Sequence, residues 1–177
     1  LAGDAKTTGF NDVAVGYQAL SSDTKGQNSV AIGCQALTAQ NFTTATNTYN
    51  VAVGRSAGAA VTTGIQNTLI GALAGDALTD ADFNIAIGHT ALGLDTLGSR
   101  SVAIGHSTLD AQNFTTATNT YNTAVGHAAG SAVTTGEQNT FIGGLAGDAV
   151  TTGNYNVALG VNSFTGNSGA TTGDSNS

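Results

Sequence analysis

Three histidines, His89, His106 and His127, each stand directly after the closing glycine of a short recurring motif. Consecutive copies of that motif would set the imidazoles one above the next, an arrangement that could hold a metal ion or gain charge as pH falls. Elsewhere the same position holds Tyr17, Cys34, Arg55, Ala72, Gly144 and Val161, the variability of a tolerant surface column. No metal ligand is therefore assigned. Asp4, Asp76 and Asp148 recur only every fourth copy, roughly 19 Å apart at strand spacing, too far to share calcium. The glycine-aspartate nonapeptide of calcium-binding rolls is missing. Serines are scattered and Glu137 is the only glutamate, so no nucleophile, base and oxyanion set can be assembled. The chain reads as non-catalytic, with no cofactor.

Two binding chemistries remain. The segment AQNFTTATNTYN occurs unchanged at 39–50 and 111–122 and carries Phe42, Tyr49, Phe114 and Tyr121. Aromatics on loops suit sugar faces, whereas a structural bulge would use its phenylalanine to cover the core; the identical copies favour the bulge. Asn41 and Asn113 open glycosylation sequons, which matter only where the host modifies surface proteins. Threonine pairs at 7–8, 62–63, 134–135, 151–152 and 171–172 raise ice binding, but only the last three pairs fall in successive copies, too few for a flat array.

Ten Asp and one Glu against two Lys and two Arg leave a net charge of −7, which disfavours nucleic acid. Cys34 is the only cysteine, so no intrachain disulfide can form. No apolar run approaches the roughly 20 residues that span a bilayer, so no membrane contact is expected within this stretch. The chain opens on LAGDA, which belongs mid-repeat, and stops where the pattern calls for another strand. It reads as part of a longer repetitive chain.

The elements that must position these residues come from the motif itself. NDVAVG, NSVAIG, NVAVG, NTLIG, NIAIG, SVAIG, NTAVG, NTFIG and NVALG end at Gly16, Gly33, Gly54, Gly71, Gly88, Gly105, Gly126, Gly143 and Gly160. Successive glycines are 17 or 21 residues apart, the longer step recurring every fourth copy to make a period of 72. So short a period predicts an all-β parallel solenoid, a single stack over 1–177 with super-repeats 1–72, 73–144 and a partial 145–177. Period-two reasoning expects the positions one and three before each glycine, Ile32 and Val30 for example, to face the interior. The residue between them, Ala31 in that copy but Leu69 and Phe141 in two others, is then expected to form an apolar outer stripe that a partner chain covers. A second short strand is expected after the glycine. There Leu20, Leu37, Leu92, Leu109 and Phe164 alternate with Gly58, Gly75, Gly130 and Gly147; three residues further on, the first group has Asp23, Gln40, Asp95, Gln112 and Asn167, the second Val61, Leu78, Val133 and Val150. One large plug per turn is what a close-packed common interior requires.

NSVAIG with alanine three residues past its glycine resembles the head repeats of YadA-type trimeric autotransporter adhesins, and the NTLIG form with its TTG link is similar to repeats of phage tail fibres. The likeness spans the whole chain, although the head repeats are usually shorter than 17 residues and the 21-residue turn is unlike them. It implies a left-handed parallel β-roll, three chains side by side, and an adhesive or fibrous role at a cell surface or virion. The expected function is that of a structural or adhesive region of an extracellular fibre, with a homotrimer as its assembly and a cell-surface or glycan receptor as its partner. The alternatives are a glycan- or ice-binding module and a self-assembling filament subunit.

Overall fold

In the computed structural model residues 1–165 are described; Asn167 and the threonine pair at 171–172 lie outside them. Among the described residues there is no helix. Nine three-residue strands, from Val13–Val15 to Val157–Leu159, form one parallel sheet in which each motif pairs with the next. The register follows the glycines: Val13 lies opposite Val30, and Val30 opposite Val51, across a 17-residue and a 21-residue lap alike. Each lap of backbone therefore lands on the one before it. The four additional residues of the long lap are absorbed before the strand, where Thr46–Asn47 pairs with Gly26–Gln27 and Thr118–Asn119 with Gly98–Ser99.

The two faces of the main sheet are reversed from the sequence expectation. Ala31, Ala52, Leu69, Ala86, Ala103, Ala124 and Phe141 are fully buried, while Val15 is 56% exposed and Ile142 is 44% exposed. The reason is volume. The coil is too narrow to hold a β-branched side chain from the sheet as well as a leucine plug from the opposite wall. Alanine is what fits inward, and the larger aliphatic residues flanking it must point outward. The plugs themselves are placed as expected, with Leu20, Leu37, Leu92 and Leu109 fully buried in one kind of turn and Val61, Leu78, Val133 and Val150 in the other.

The segment after each motif glycine is a turn, not the second strand that was expected. Its second residue is left-handed in every lap, as at Gln35 (φ 61°) and Thr90 (φ 55°), and so is its fourth, as at Leu37 (φ 48°). Extended backbone cannot include such residues. Alternate amides still bond to the neighbouring lap, Gln35 N–H to Tyr17 O at 2.8 Å and Leu37 N–H to Ala57 O at 3.0 Å. The ladder along the axis thus continues through a curled wall.

The motif glycines have φ between 114° and 140°, and a Cβ on Gly71 would lie 2.5 Å from the carbonyl oxygen of Gly88. Both conditions admit only glycine.

Four residues before each glycine a polar column runs inside the coil. Asn50 Oδ1 accepts the Asn67 N–H at 2.9 Å, Asn67 Oδ1 accepts the Asn84 N–H at 2.9 Å, and Asn84 Oδ1 accepts the Ser101 N–H at 2.9 Å. Each side-chain amide meanwhile donates to a backbone carbonyl, Asn67 Nδ2 to Ala81 O at 2.8 Å. Buried amides satisfied on both sides hold the lap-to-lap register without exposing a polar group to the apolar interior.

Candidate functional site

The outward face of the sheet is the most distinctive surface. Its two columns, one and three residues before each glycine, hold aliphatic side chains everywhere except Thr68, Thr123 and Thr140. They pair in register from Val13 and Val15 to Val157 and Leu159, so the apolar strip runs unbroken along all nine strands. Ile32, Ile70, Ile85 and Ile142 are each at least 36% exposed. Isolated surface isoleucines are ordinary; a continuous ribbon of them marks a surface adapted to contact.

The histidine column lies beside this strip. His89 and His106 stack with ring centroids 5.4 Å apart and 10° between planes, and His106 and His127 stack at 5.3 Å and 6°. The ladder forms as the spacing predicted. Two nitrogens bound to one zinc at about 2.1 Å each can be no more than about 4.2 Å apart, whereas these near-parallel rings keep equivalent atoms a full strand spacing apart. Among the described residues no group of three His, Cys, Asp or Glu side chains is arranged to hold a metal. Cys34 is exposed in the same column, three laps from His89.

Asp110 stands beside Gly93, where a Cβ would come 2.9 Å from Asp110 Oδ1. Partial burial raises the pKa of Asp110, opposed by the charges of His106 and His89. Burial raises Asp76 as well, with the Asp110 charge adding to it. Asp82 is raised by burial against the opposing hydrogen bond from Ile65 N–H. Asp4 and Asp148 stand on other laps and join no such group.

A second set of carboxylates sits inside the coil and was not recognised as a site from the sequence. Asp23 is fully buried and accepts Gly26 N–H at 3.0 Å, Phe42 N–H at 3.2 Å, Gln40 Nε2 at 2.9 Å and Lys6 Nζ at 2.8 Å. Burial works to raise its pKa, but these donors, Lys6 foremost, overcome it and hold the carboxyl below 3.8. Lys6 also pairs with Asp12 at 2.6 Å. The equivalent Asp95 keeps the neutral donors Gly98 N–H, Phe114 N–H and Gln112 Nε2, with Leu78 standing where Lys6 would be. The reason is local: each aspartate ties down the start of a long lap by capping the backbone amide of its phenylalanine.

That phenylalanine faces inward in both long turns. Phe42 and Phe114 are 7% and 5% exposed, closing over the core as a structural bulge requires. Tyr49 and Tyr121 instead stand outside, in a column five residues before the motif glycine. The threonines serve the backbone: Thr62 Oγ1 donates to Thr79 O at 3.2 Å and Thr134 Oγ1 to Thr151 O at 3.1 Å, each binding the next lap. Asn41 and Asn113 are exposed, and each Oδ1 accepts a threonine hydroxyl, from Thr24 and Thr96. Glu137 donates its N–H to Asn154 Oδ1 at 2.7 Å and stands apart from the histidines.

No protein-family model, curated protein or solved structure matches this chain. Among the described residues no helix is long and apolar enough to cross a membrane.

Proposed function

We propose that this chain is a non-catalytic structural region of an extracellular fibre, an adhesin head or a tail-fibre shaft, that works as a homotrimer. The observation that carries the reading is the unbroken apolar ribbon on the outer face of the sheet. A rod that leaves such a ribbon in water exposes it to indiscriminate association; burying it against copies of itself removes that hazard and stiffens the assembly. Because the position before each glycine is aliphatic in all nine laps, a copy lying parallel and in register meets an aliphatic side chain at every level. Among the described residues each lap repeats the last with small substitutions, and the interior polar groups bond to backbone and to one another. Resemblance to trimeric adhesin heads and phage tail fibres supports three copies and a surface location.

The test is the mass in solution. Sedimentation equilibrium should give about three times 17.3 kDa, and Ile87→Glu with Ile104→Glu, placing charge on the ribbon, should reduce it to one chain while circular dichroism is unchanged. A wild-type protein that stays monomeric at micromolar concentration rules the reading out.

A further inference from the structure

Five residues before each motif glycine, one column alternates by chemistry from lap to lap. Tyr49, Phe83, Tyr121 and Tyr155 occupy every second lap, with Gln66, Arg100 and Gln138 on the laps between. All seven are exposed, the tyrosines by 53%, 54% and 53%. They share one backbone conformation, φ from 51° at Tyr49 to 67° at Arg100, so their side chains leave the rod in a common direction. Backbone bonds fix Gln66, Phe83, Arg100, Gln138 and Tyr155 to the preceding lap, as with Gln66 N–H to Thr48 O at 2.7 Å and Tyr155 N–H to Glu137 O at 3.1 Å. The result is a row of aromatic rings about 10 Å apart, two strand spacings, with hydrogen-bonding side chains midway.

The conformation makes the residue choice informative. Bulky side chains are outliers in the left-handed region, where asparagine and glycine sit easily. Asn11 and Asn28 hold this same column at φ 58° and 63° in the first two laps. Among leucines in the same conformation, Leu37 and Leu92 fill the core, while Leu145 is 36% exposed. The tyrosine rings fill nothing, so their value lies in what they meet outside. The Arg100 guanidinium lies 4.5 Å from the centroid of the Phe83 ring and its Nε donates to Asn119 Oδ1 at 3.0 Å, which steadies both side chains.

The geometry points to an extended, neutral, β-1,4-linked glycan as the ligand of this ladder. In such a ribbon alternate sugars present the same face, so Tyr49, Tyr121 and Tyr155, spaced by whole disaccharide repeats, can each take a sugar face while Gln66, Arg100 and Gln138 bond hydroxyls of the sugars between; the Phe83 ring carries the Arg100 guanidinium instead. A net charge of −7 disfavours polyanionic chains. This proposal is independent of the fibre reading and adds a binding function to it.

Calorimetric titration of the full chain with cellohexaose and chitohexaose tests it. At least one hexasaccharide should bind about tenfold more tightly than its disaccharide, with α-linked maltohexaose weaker than either. Tyr49→Asn, Tyr121→Asn and Tyr155→Asn combined place in the column a residue it already carries at positions 11 and 28, so melting should hold while affinity falls at least about tenfold. Absence of saturable binding to both β-linked hexasaccharides overturns the proposal. Equal affinity for maltohexaose, or undiminished affinity in the triple variant, also overturns it. Should that variant melt early, the length dependence measured on the wild type decides: affinity that does not rise from disaccharide to hexasaccharide overturns the proposal.

Discussion

A glycine can be required by its dihedral angle, by the space around it, or by neither, and this chain holds examples at both extremes. Gly88 has φ 135°, and a Cβ there would run into the carbonyl of Gly105. Relief would need backbone movement in two laps at once. Gly88→Ala should therefore destabilise by upwards of about 4 kcal/mol, through backbone strain in both laps. Gly144 lies one residue past another motif glycine, and the nearest atom to a Cβ there is His127 O at 3.9 Å. Gly144→Ala should stay within about 0.5 kcal/mol of wild type. Thermal melts of the two variants, read side by side, check the assignment; a tolerated Gly88→Ala would mean that the laps are not stacked as described. The motif glycines were legible in the sequence because nothing replaced them in nine copies. The aromatic column was not, because its members are separated alternately by 34 and 38 residues and only Tyr49 and Tyr121 share the repeated segment, with Phe83 and Tyr155 in other surroundings.

At the scale of the lap, the sheet and the curled wall share one interior volume. Leu69 enters from the sheet where its neighbours have alanine, and the wall answers with Gly58 and Gly75. A Cβ at Gly58 would lie 2.6 Å from Leu69 Cδ1, and one at Gly75 2.8 Å from Leu69 Cδ2. Phe141 is accommodated in the same way by Gly130 and Gly147. Leu69→Ala alone should cost about 2–5 kcal/mol through the void it leaves. Gly58→Ala should destabilise the wild type by overpacking, but should cost less, or restore stability, once Leu69 is alanine. A double-mutant cycle should return a coupling of about 0.5–3 kcal/mol; additivity would show that the two side chains do not compete for space. This pairing bears on how the sheet came to be read inside out. The solenoid, its period and its plugs followed from spacing alone. The facing of the strands did not, because with both faces apolar the usual contrast between buried and solvated positions was absent. The signal lay in the correlation: large residues at 69 and 141 coincide with glycines in the wall, which two groups on opposite sides of a boundary would have no reason to show.

For the molecule as a whole, the aspartates set a pH dependence of unusual direction. Asp76, Asp82 and Asp110 have folded-state values raised above 3.8, so the folded chain holds more protons than the unfolded one over the interval above that value. Their contribution is complete below 3.8 and is lost as pH rises through the raised values. Asp23 is depressed, so its contribution is present above 3.8 and is lost as pH falls through its folded value. The two trends meet near 3.8. The melting temperature should peak close to pH 4 and decline toward pH 6, where self-repulsion of the net negative charge acts in the same sense. Asp110→Asn should flatten the decline. A melting temperature that climbs steadily from pH 4 to pH 7 would contradict the opposed burial and ion pairing that place these groups.

The hydrogen bonds between laps run along the rod, because each strand's partner is the lap above it. Tension applied to the two ends of one chain therefore loads them in line, and they open in sequence rather than shearing together. Each short lap released should lengthen the tether by roughly 55 Å and each 21-residue lap by roughly 70 Å. An optical trap pulling a single chain should record a staircase in which three short extensions separate consecutive long ones. Such a thread gives way gradually and dissipates work at every step, the behaviour of a shock absorber rather than a rigid strut.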